Sequence, residues 1–260
     1  MTVHSTLRAY GYWSHQYRRI WRASIASGFL NPALFLAAMG LGLGSLVNRH
    51  GASVGRLGGV SYLVFLAPGL MAASAMQMAS LEAMFPVMGG FKWIRTYHAM
   101  QASPLEVPDI LYGHLLWMAT RVSFVSTIFL GVMAAFGAVH SPEVVLAVPA
   151  AALTGMAFAA PVAAFTATRE SDQPLIGLFR FVVIPMFLFS GTFFPISQLP
   201  AAVRPLAWVT PLWHGVSLCR ALSLGNASVL ASFGHVAYLL GVTVMGLALG
   251  RRSYARRLAP

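Results

Sequence analysis

The stretch "SYLVFLAPGLMAASAMQMASLE", residues 61–82, carries no charged side chain until Glu82 closes it. A helix of about 20 mostly apolar residues, rising about 1.5 Å per residue, spans about 30 Å of hydrocarbon. Working outward, runs of the same character lie at 29–47, 112–137, 144–167, 175–194 and 229–250. The 112–137 run is least defined in its first turns. Of the 260 residues, 58% are hydrophobic and only 9% charged, where soluble domains carry roughly a quarter. That leaves too little polar surface to cover a globule in water. The sequence therefore predicts an all-α integral membrane protein with six transmembrane helices.

Basic residues set the expected orientation. With the N-terminus inside, the cytoplasmic segments hold Arg8, Arg18, Arg19, Arg22, Lys92, Arg95, Arg169, Arg251, Arg252, Arg256 and Arg257. The opposite loops hold Arg49, Arg56, Arg204 and Arg220, and Arg121 and Arg180 fall within spans. This excess predicts both termini in the cytoplasm. It also accounts for the net charge of +11 without nucleic acid, because the arginines punctuate apolar spans rather than lining one face. The first 28 residues are basic and aromatic, and no signal-peptide cleavage pattern follows them.

Before the first span, residues 1–28 read as an amphipathic interfacial helix. Tyr10, Trp13, Tyr17, Ile20 and Trp21 share one arc at helical spacing, with Arg8, Arg18, Arg19 and Arg22 opposite. Such a helix lies at headgroup level with its arginines on anionic lipid, or packs on a partner in the cytosol. Between spans two and three, Pro86, Gly89 and Gly90 are expected to stop the second span. "KWIRTYHAMQAS", residues 92–103, then reads as a short helix stopped by Pro104. GLGLG at 40–44 and GLALG at 246–250 carry glycines four apart, read as helix-packing contacts. A basic cytoplasmic tail is expected at 251–260.

Glu82, Arg121 and Arg180 are the charges set against hydrocarbon, all within about 15 Å of the cytoplasmic boundary at about 1.5 Å per residue. They either snorkel separately or form an intramembrane charge layer in which Glu82 pairs with Arg121 or Arg180. The chain has no phosphate-binding G-x-x-x-x-G-K-[ST] loop, no H-E-x-x-H and no G-x-S-x-G. Its eight histidines, at 4, 15, 50, 98, 114, 140, 214 and 235, lack metal-ligand spacing, and Cys219 stands alone. These absences predict neither an enzyme nor a metal site. The lack of mid-span carboxylates weighs against an ion-coupled carrier.

One more stretch breaks the pattern: "FLFSGTFFPISQLPAAVRPLAWVTPLWHGVSLCRAL", residues 187–222. Pro195 and Pro200 each remove a backbone donor. The order Ser190, Gly191, Phe194, Pro195, then Leu199, Pro200, then Pro211, Leu212, His214, and Arg220 resembles the signature region of ABC-2-type export permeases. That is the family of the daunorubicin-resistance and nodulation-factor-export membrane subunits. Thr96, Tyr97, Met100, Ser103, Pro104, Leu105 and Asp109 are similar to the family's segment between spans two and three.

The resemblance implies a coupling segment at 91–104 that docks on an ATPase subunit, with Trp93, Arg95, Thr96, Tyr97, Met100, Ser103 and Pro104 in that role. It implies a re-entrant external hairpin at 191–213 that either gates the exit or is only structural. Ser190, Gly191, Phe193, Phe194, Pro195, Leu199, Pro200, Pro211 and His214 belong to it. Ser190 and Thr192 are expected to cap freed carbonyls, and Phe193, Phe194, Trp208 and Trp213 to seat the hairpin at the interface. This chain would hold no cofactor. ATP and Mg would sit on two copies of an ABC ATPase, beside a second permease subunit, identical or related, in the cell inner membrane. The implied function is export of a hydrophobic or lipid-linked substrate. An ion-coupled secondary carrier and a non-transporting anchor subunit are the alternatives.

Overall fold

The structure, a computed structural model, describes residues 3–18, 29–45 and 59–259. Every regular element in them is helical. The N-terminal segment contributes α1 (Val3–Tyr17), and α2 covers residues 29–45, π-helical over Leu36–Leu43. Next come α3 (Tyr62–Trp93), the short α4 (Thr96–Gln101), α5 (Val107–Ala135) and α6 (Pro142–Thr166). The chain ends with α7 (Gln173–Phe189), α8 (Arg204–Val209), α9 (Pro211–Leu224) and α10 (Val229–Leu258). Four of these, α3, α5, α6 and α10, are long and apolar enough to cross a membrane; α2 and α7 are shorter apolar helices. Residues 46–47 of the first expected span, and Ile20 and Trp21 of the aromatic stripe, lie outside the described residues.

The bundle is built around α3, whose apolar window is 83% buried, whereas that of α10 is 11% buried. Composition explains the contrast. In lipid, helices associate through close packing rather than through a hydrophobic drive, so small residues occupy the contacts. On α3, Ala67, Ala72, Ala75, Ala79 and Ala83 are buried, and on α6 Ala151, Ala159, Ala160 and Ala163 face them or α10. Gly246 of the GLALG stretch sits against the Pro161 backbone, where a Cβ would come within 2.5 Å, and Gly250 packs on Leu111. That glycine pair is spent on contacts within the chain.

Three expectations are corrected. The second span does not stop at Pro86: the Gly89 amide still donates to the Phe85 and Pro86 carbonyls. A proline removes only its own donor, and the helix runs on into a π-helical turn at Gly89–Trp93. The last span does not end before a separate tail, since α10 continues through the four arginines to Leu258. The fifth run leaves the helix at Phe189, short of residue 194, because Ser190 breaks the register and Gly191 takes a left-handed φ of +81°.

Candidate functional site

At the basic end of the bundle, α3 reverses sharply into α4. The Ile94 and Arg95 amides both donate to the Gly89 carbonyl, at 2.8 and 3.2 Å. Arg95 is the single non-glycine residue with positive φ among the described residues, at +57°. This turn drives Tyr97 inward. Its ring lies on Gly90, where a Cβ would sit 2.5 Å from the ring, so Gly90 makes room rather than ending the helix. The Tyr97 hydroxyl bonds His114 Nδ1 of α5 at 2.6 Å and meets the Tyr254 hydroxyl of α10 at 3.5 Å. Burial, with Tyr254 beside it, pushes the Tyr97 hydroxyl well above its ordinary pKa. Phe91 packs edge-on against both tyrosines at 4.7 Å, and Trp13 of α1 stacks on His114 at 3.9 Å. Gln101 donates to the Leu258 carbonyl at 2.8 Å. α1, α3, α4, α5 and α10 therefore meet at one side chain.

The expected coupling residues separate into two groups. Tyr97 is an interior anchor, while Trp93, Arg95, Ser103 and Pro104 are exposed and Thr96 and Met100 half-buried. Trp93 is 55% exposed and its neighbour Ile94 69%, forming an apolar outer face beside α4. The stripe on α1 also turns inward: Tyr10 and Tyr17 meet Trp117 of α5 edge-on at 5.8 and 5.2 Å. α5 covers part of those rings, leaving Tyr10 and Tyr17 half-buried and Trp13 buried, while Arg8 and Arg18 stay exposed. Arg257 braces the same end. Its guanidinium donates to the carbonyls of Thr166, Ala167 and Arg169 at the end of α6, reaches Glu170 at 3.5 Å, and lies 4.7 Å over Phe91. A cation there complements the helix C-terminus.

Midway along α3, Glu82 accepts a hydrogen bond from Arg121 of α5 in an ion pair whose side chains are 16% and 20% exposed. Tyr17 faces the Arg121 guanidinium at 5.1 Å. Arg180, the other arginine considered for this pair, is exposed on the π-turn of α7 and has no ion-pair partner among the described residues. Arg121 also borders a cavity of about 680 Å³ between α2, α3, α5 and α7. Asn31, Ser74 and Gln77 supply its polar wall, and Phe35 and Phe187 part of its apolar one. That size lies within the range of small-molecule sites.

At the opposite end, the stretch after α7 folds back over α3. Arg220 of α9 donates to the Gly191 carbonyl at 2.9 Å, to Thr192 at 3.4 Å and to Phe65 of α3 at 3.1 Å, lying 3.8 Å over the Phe65 ring. Gly69 permits this approach, since a Cβ there would meet the Arg220 guanidinium at 2.8 Å. Ser190 and Thr192 do not cap carbonyls. Ser190 donates to the Thr210 hydroxyl at 2.9 Å, which itself donates to Ala207 and caps α9. Thr192 is buried with its hydroxyl unpartnered among the described residues, because Arg220 already holds the carbonyls.

The aromatic anchors divide as well. Phe193 points inward to Phe187 at 5.0 Å, and Trp208 is exposed. Trp213 packs on His214 and His235, whose Nδ1 atoms stand 2.9 Å apart. Leu199 is buried and Pro200 exposed; Phe194, Pro195 and Pro211 are half-buried. Arg204 closes the loop onto the Ser197 and Leu199 carbonyls. Sequence reasoning did not assign Arg220 a role, although it stood in the quoted motif, and nothing in the spacing of the histidines pointed to their meeting. Among the described residues no group of three or more His, Cys, Asp or Glu converges as a metal site.

Four helices long and apolar enough to cross a membrane, packed around α3 with a cavity between α2, α3, α5 and α7, are the architecture of a membrane-embedded helical bundle. The chain belongs to the ABC-2 type transporter family, whose model matches residues 11–224. It is 32% identical to Nodulation protein J of Rhizobium meliloti (strain 1021) over 251 residues, covering 95% of this chain and 93% of that one. Identity to Nodulation protein J of Rhizobium leguminosarum bv. viciae is 36% over 238 residues, 90% and 89% of the two chains. The Inner membrane transport permease YadH of Escherichia coli (strain K12) is 22% identical over 224 residues, 85% and 84% of the two chains. Membership in this family implies partnership with an ABC ATPase subunit.

Proposed function

We propose that this chain is the permease of an ATP-driven exporter that moves a hydrophobic or lipid-linked substrate out of the cytoplasm or the inner leaflet. Its six spans are α2, α3, α5, α6, α7 and α10, with both termini in the cytoplasm. Two permeases, identical or related, form the path between them, and two ATPase subunits carry ATP and Mg. The basic residues support the orientation, and similarity to the Inner membrane transport permease YadH of Escherichia coli supports an inner-membrane location.

The observation that carries this reading is the position of α4. This short helix, with the exposed apolar pair Trp93 and Ile94 beside it, is tied through Tyr97 to α5 and α10. A push on residues 91–104 by closing ATPases then moves the spans, because Tyr97 has no free volume in which to give way. The response at the far end is a shift of the hairpin 191–213, which Arg220 ties to α3. A hydrophobic or lipid-linked cargo fits the mostly apolar lining of the cavity beside Arg121.

The test uses the exposed Trp93 and the half-buried Met100. Trp93→Asp with Met100→Asp should leave the chain in the membrane, cut co-purification of the ATPase and abolish ATP-dependent flux. Unchanged ATPase association and flux would remove residues 91–104 from the coupling role.

A further inference from the structure

We propose that the cytoplasmic end of α10, together with the start of α5, forms a binding site for one anionic phospholipid of the cytoplasmic leaflet. A second cavity, of about 610 Å³, opens there. Its wall on α10 follows two neighbouring ridges at helical spacing, Val244–Ala248–Arg252 and Leu247–Arg251. On each ridge the apolar residues come first and the arginine lies one turn nearer the end of the helix. Val244 and Arg252 are about 12 Å apart along the axis at about 1.5 Å per residue. Tyr112 of α5 forms the opposite wall, held close by the packing of Gly250 on Leu111. Apolar surface above and cations below is the profile of a phospholipid standing in the leaflet.

The charges favour a phosphate headgroup. Arg251 and Arg252 are both exposed, and neither makes an ion pair among the described residues. Arg257, on the other face of the same helix, is instead fully engaged with α6 carbonyls and Glu170. No acidic side chain lines the cavity. Basic pockets between transmembrane helices on the cytoplasmic side attract anionic lipid headgroups, and the Tyr112 hydroxyl is a further donor at the same wall. A choline headgroup would set its own cation against two arginines. The site takes from the preceding reading only that α10 ends at the cytoplasmic face, and its test needs neither ATP nor the ATPase.

The experiment is native mass spectrometry of the full-length permease, delipidated and titrated with dioleoyl phosphatidylglycerol or dioleoyl phosphatidylcholine. One phosphatidylglycerol per chain should be retained under activation that strips phosphatidylcholine. At roughly fivefold per arginine, Arg251→Gln with Arg252→Gln should weaken retention ~30-fold. Arg251→Lys with Arg252→Lys should recover most of it. Arg256→Gln removes the same charge outside the cavity and should change retention less than twofold. Ala248→Trp fills the chain's wall without touching a charge and should also expel the lipid. Millimolar inorganic phosphate should not compete, which separates a lipid site from a phosphate site. Equal retention of phosphatidylcholine, an Arg256→Gln loss matching that of Arg251→Gln, or displacement by phosphate would each overturn the proposal. So would unchanged lipid retention in the double variant.

Discussion

Replacing Arg220 with Met removes the clamp on the 191–213 hairpin while keeping an apolar side chain over Phe65. The contact to the Gly191 carbonyl, at 2.9 Å, is a full charge-assisted bond, whereas that to Thr192, at 3.4 Å, is near the limit of the interaction. Bonds to charged groups contribute about 1.5–3 kcal/mol each. Part of that is offset because a desolvated guanidinium is itself costly. A net loss of about 2 kcal/mol is left for the hairpin, or about a 30-fold rise in its opening equilibrium. Hydrogen–deuterium exchange of residues 190–210 in nanodiscs reads this directly, with amides of the buried α6 as internal reference. Arg220→Lys, which presents a point charge in place of a planar fork, should give about half the energetic effect, or about fivefold faster exchange. Gly69→Ala should approach the Met variant with the arginine intact, because its Cβ displaces the guanidinium. Hairpin exchange within twofold of wild type in Arg220→Met, or a rise shared equally by α6, would refute the clamp.

Three further outcomes follow from the same geometry. Glu82→Gln or Arg121→Gln alone leaves a partly buried charge uncompensated and should cost about 2–3 kcal/mol, below the range for fully buried pairs. The exchanged pair Glu82→Arg with Arg121→Glu should recover more than half of that in thermal melting; a strictly additive double variant would mean the groups do not interact. Tyr97→Phe keeps the ring but strands His114 Nδ1, and should lower stability by about 1–2 kcal/mol and weaken coupling of ATP hydrolysis to flux. Wild-type coupling in that variant would show that the hydroxyl is dispensable. Arg95→Gly relieves the left-handed backbone at +57°. It should leave stability unchanged or raise it by up to about 1 kcal/mol, and a marked drop in melting temperature would show that the turn relies on the arginine side chain.

The apolar runs were legible because hydrocarbon thickness imposes one length on every helix that crosses it, and the four long helices lie where those runs lie. Their ends were not. Pro86 and the glycine pair at 89–90 look like a stop in sequence, yet one missing donor is a local loss and the helix runs on into a π-turn. Periodicity on α1 exposed an aromatic face but carried no sign of what covers it, and Trp117 and His114 lie a hundred residues away.

Side-chain chemistry narrowed the intramembrane charges to Glu82 with one of two arginines, and only packing chose Arg121. The bracing arginines were harder still. Arg220 and Arg257 act on backbone carbonyls, which every residue has, so no pattern of side chains announces the acceptor. Tyr97 stood out by resemblance as a docking residue. Its burial came from the left-handed turn at Arg95, a conformation that sequence does not favour there.

The central claim is that this chain works as the membrane half of an ATP-driven assembly. Native mass spectrometry of the tagged chain, extracted gently from its own host's membranes, tests it most directly. The account predicts a complex of two permeases, identical or related, with two ATPase chains, and loss of the ATPases in Trp93→Asp with Met100→Asp. A chain that runs alone or as a bare homodimer under the mildest extraction, with no ATPase at any protein concentration, would contradict it.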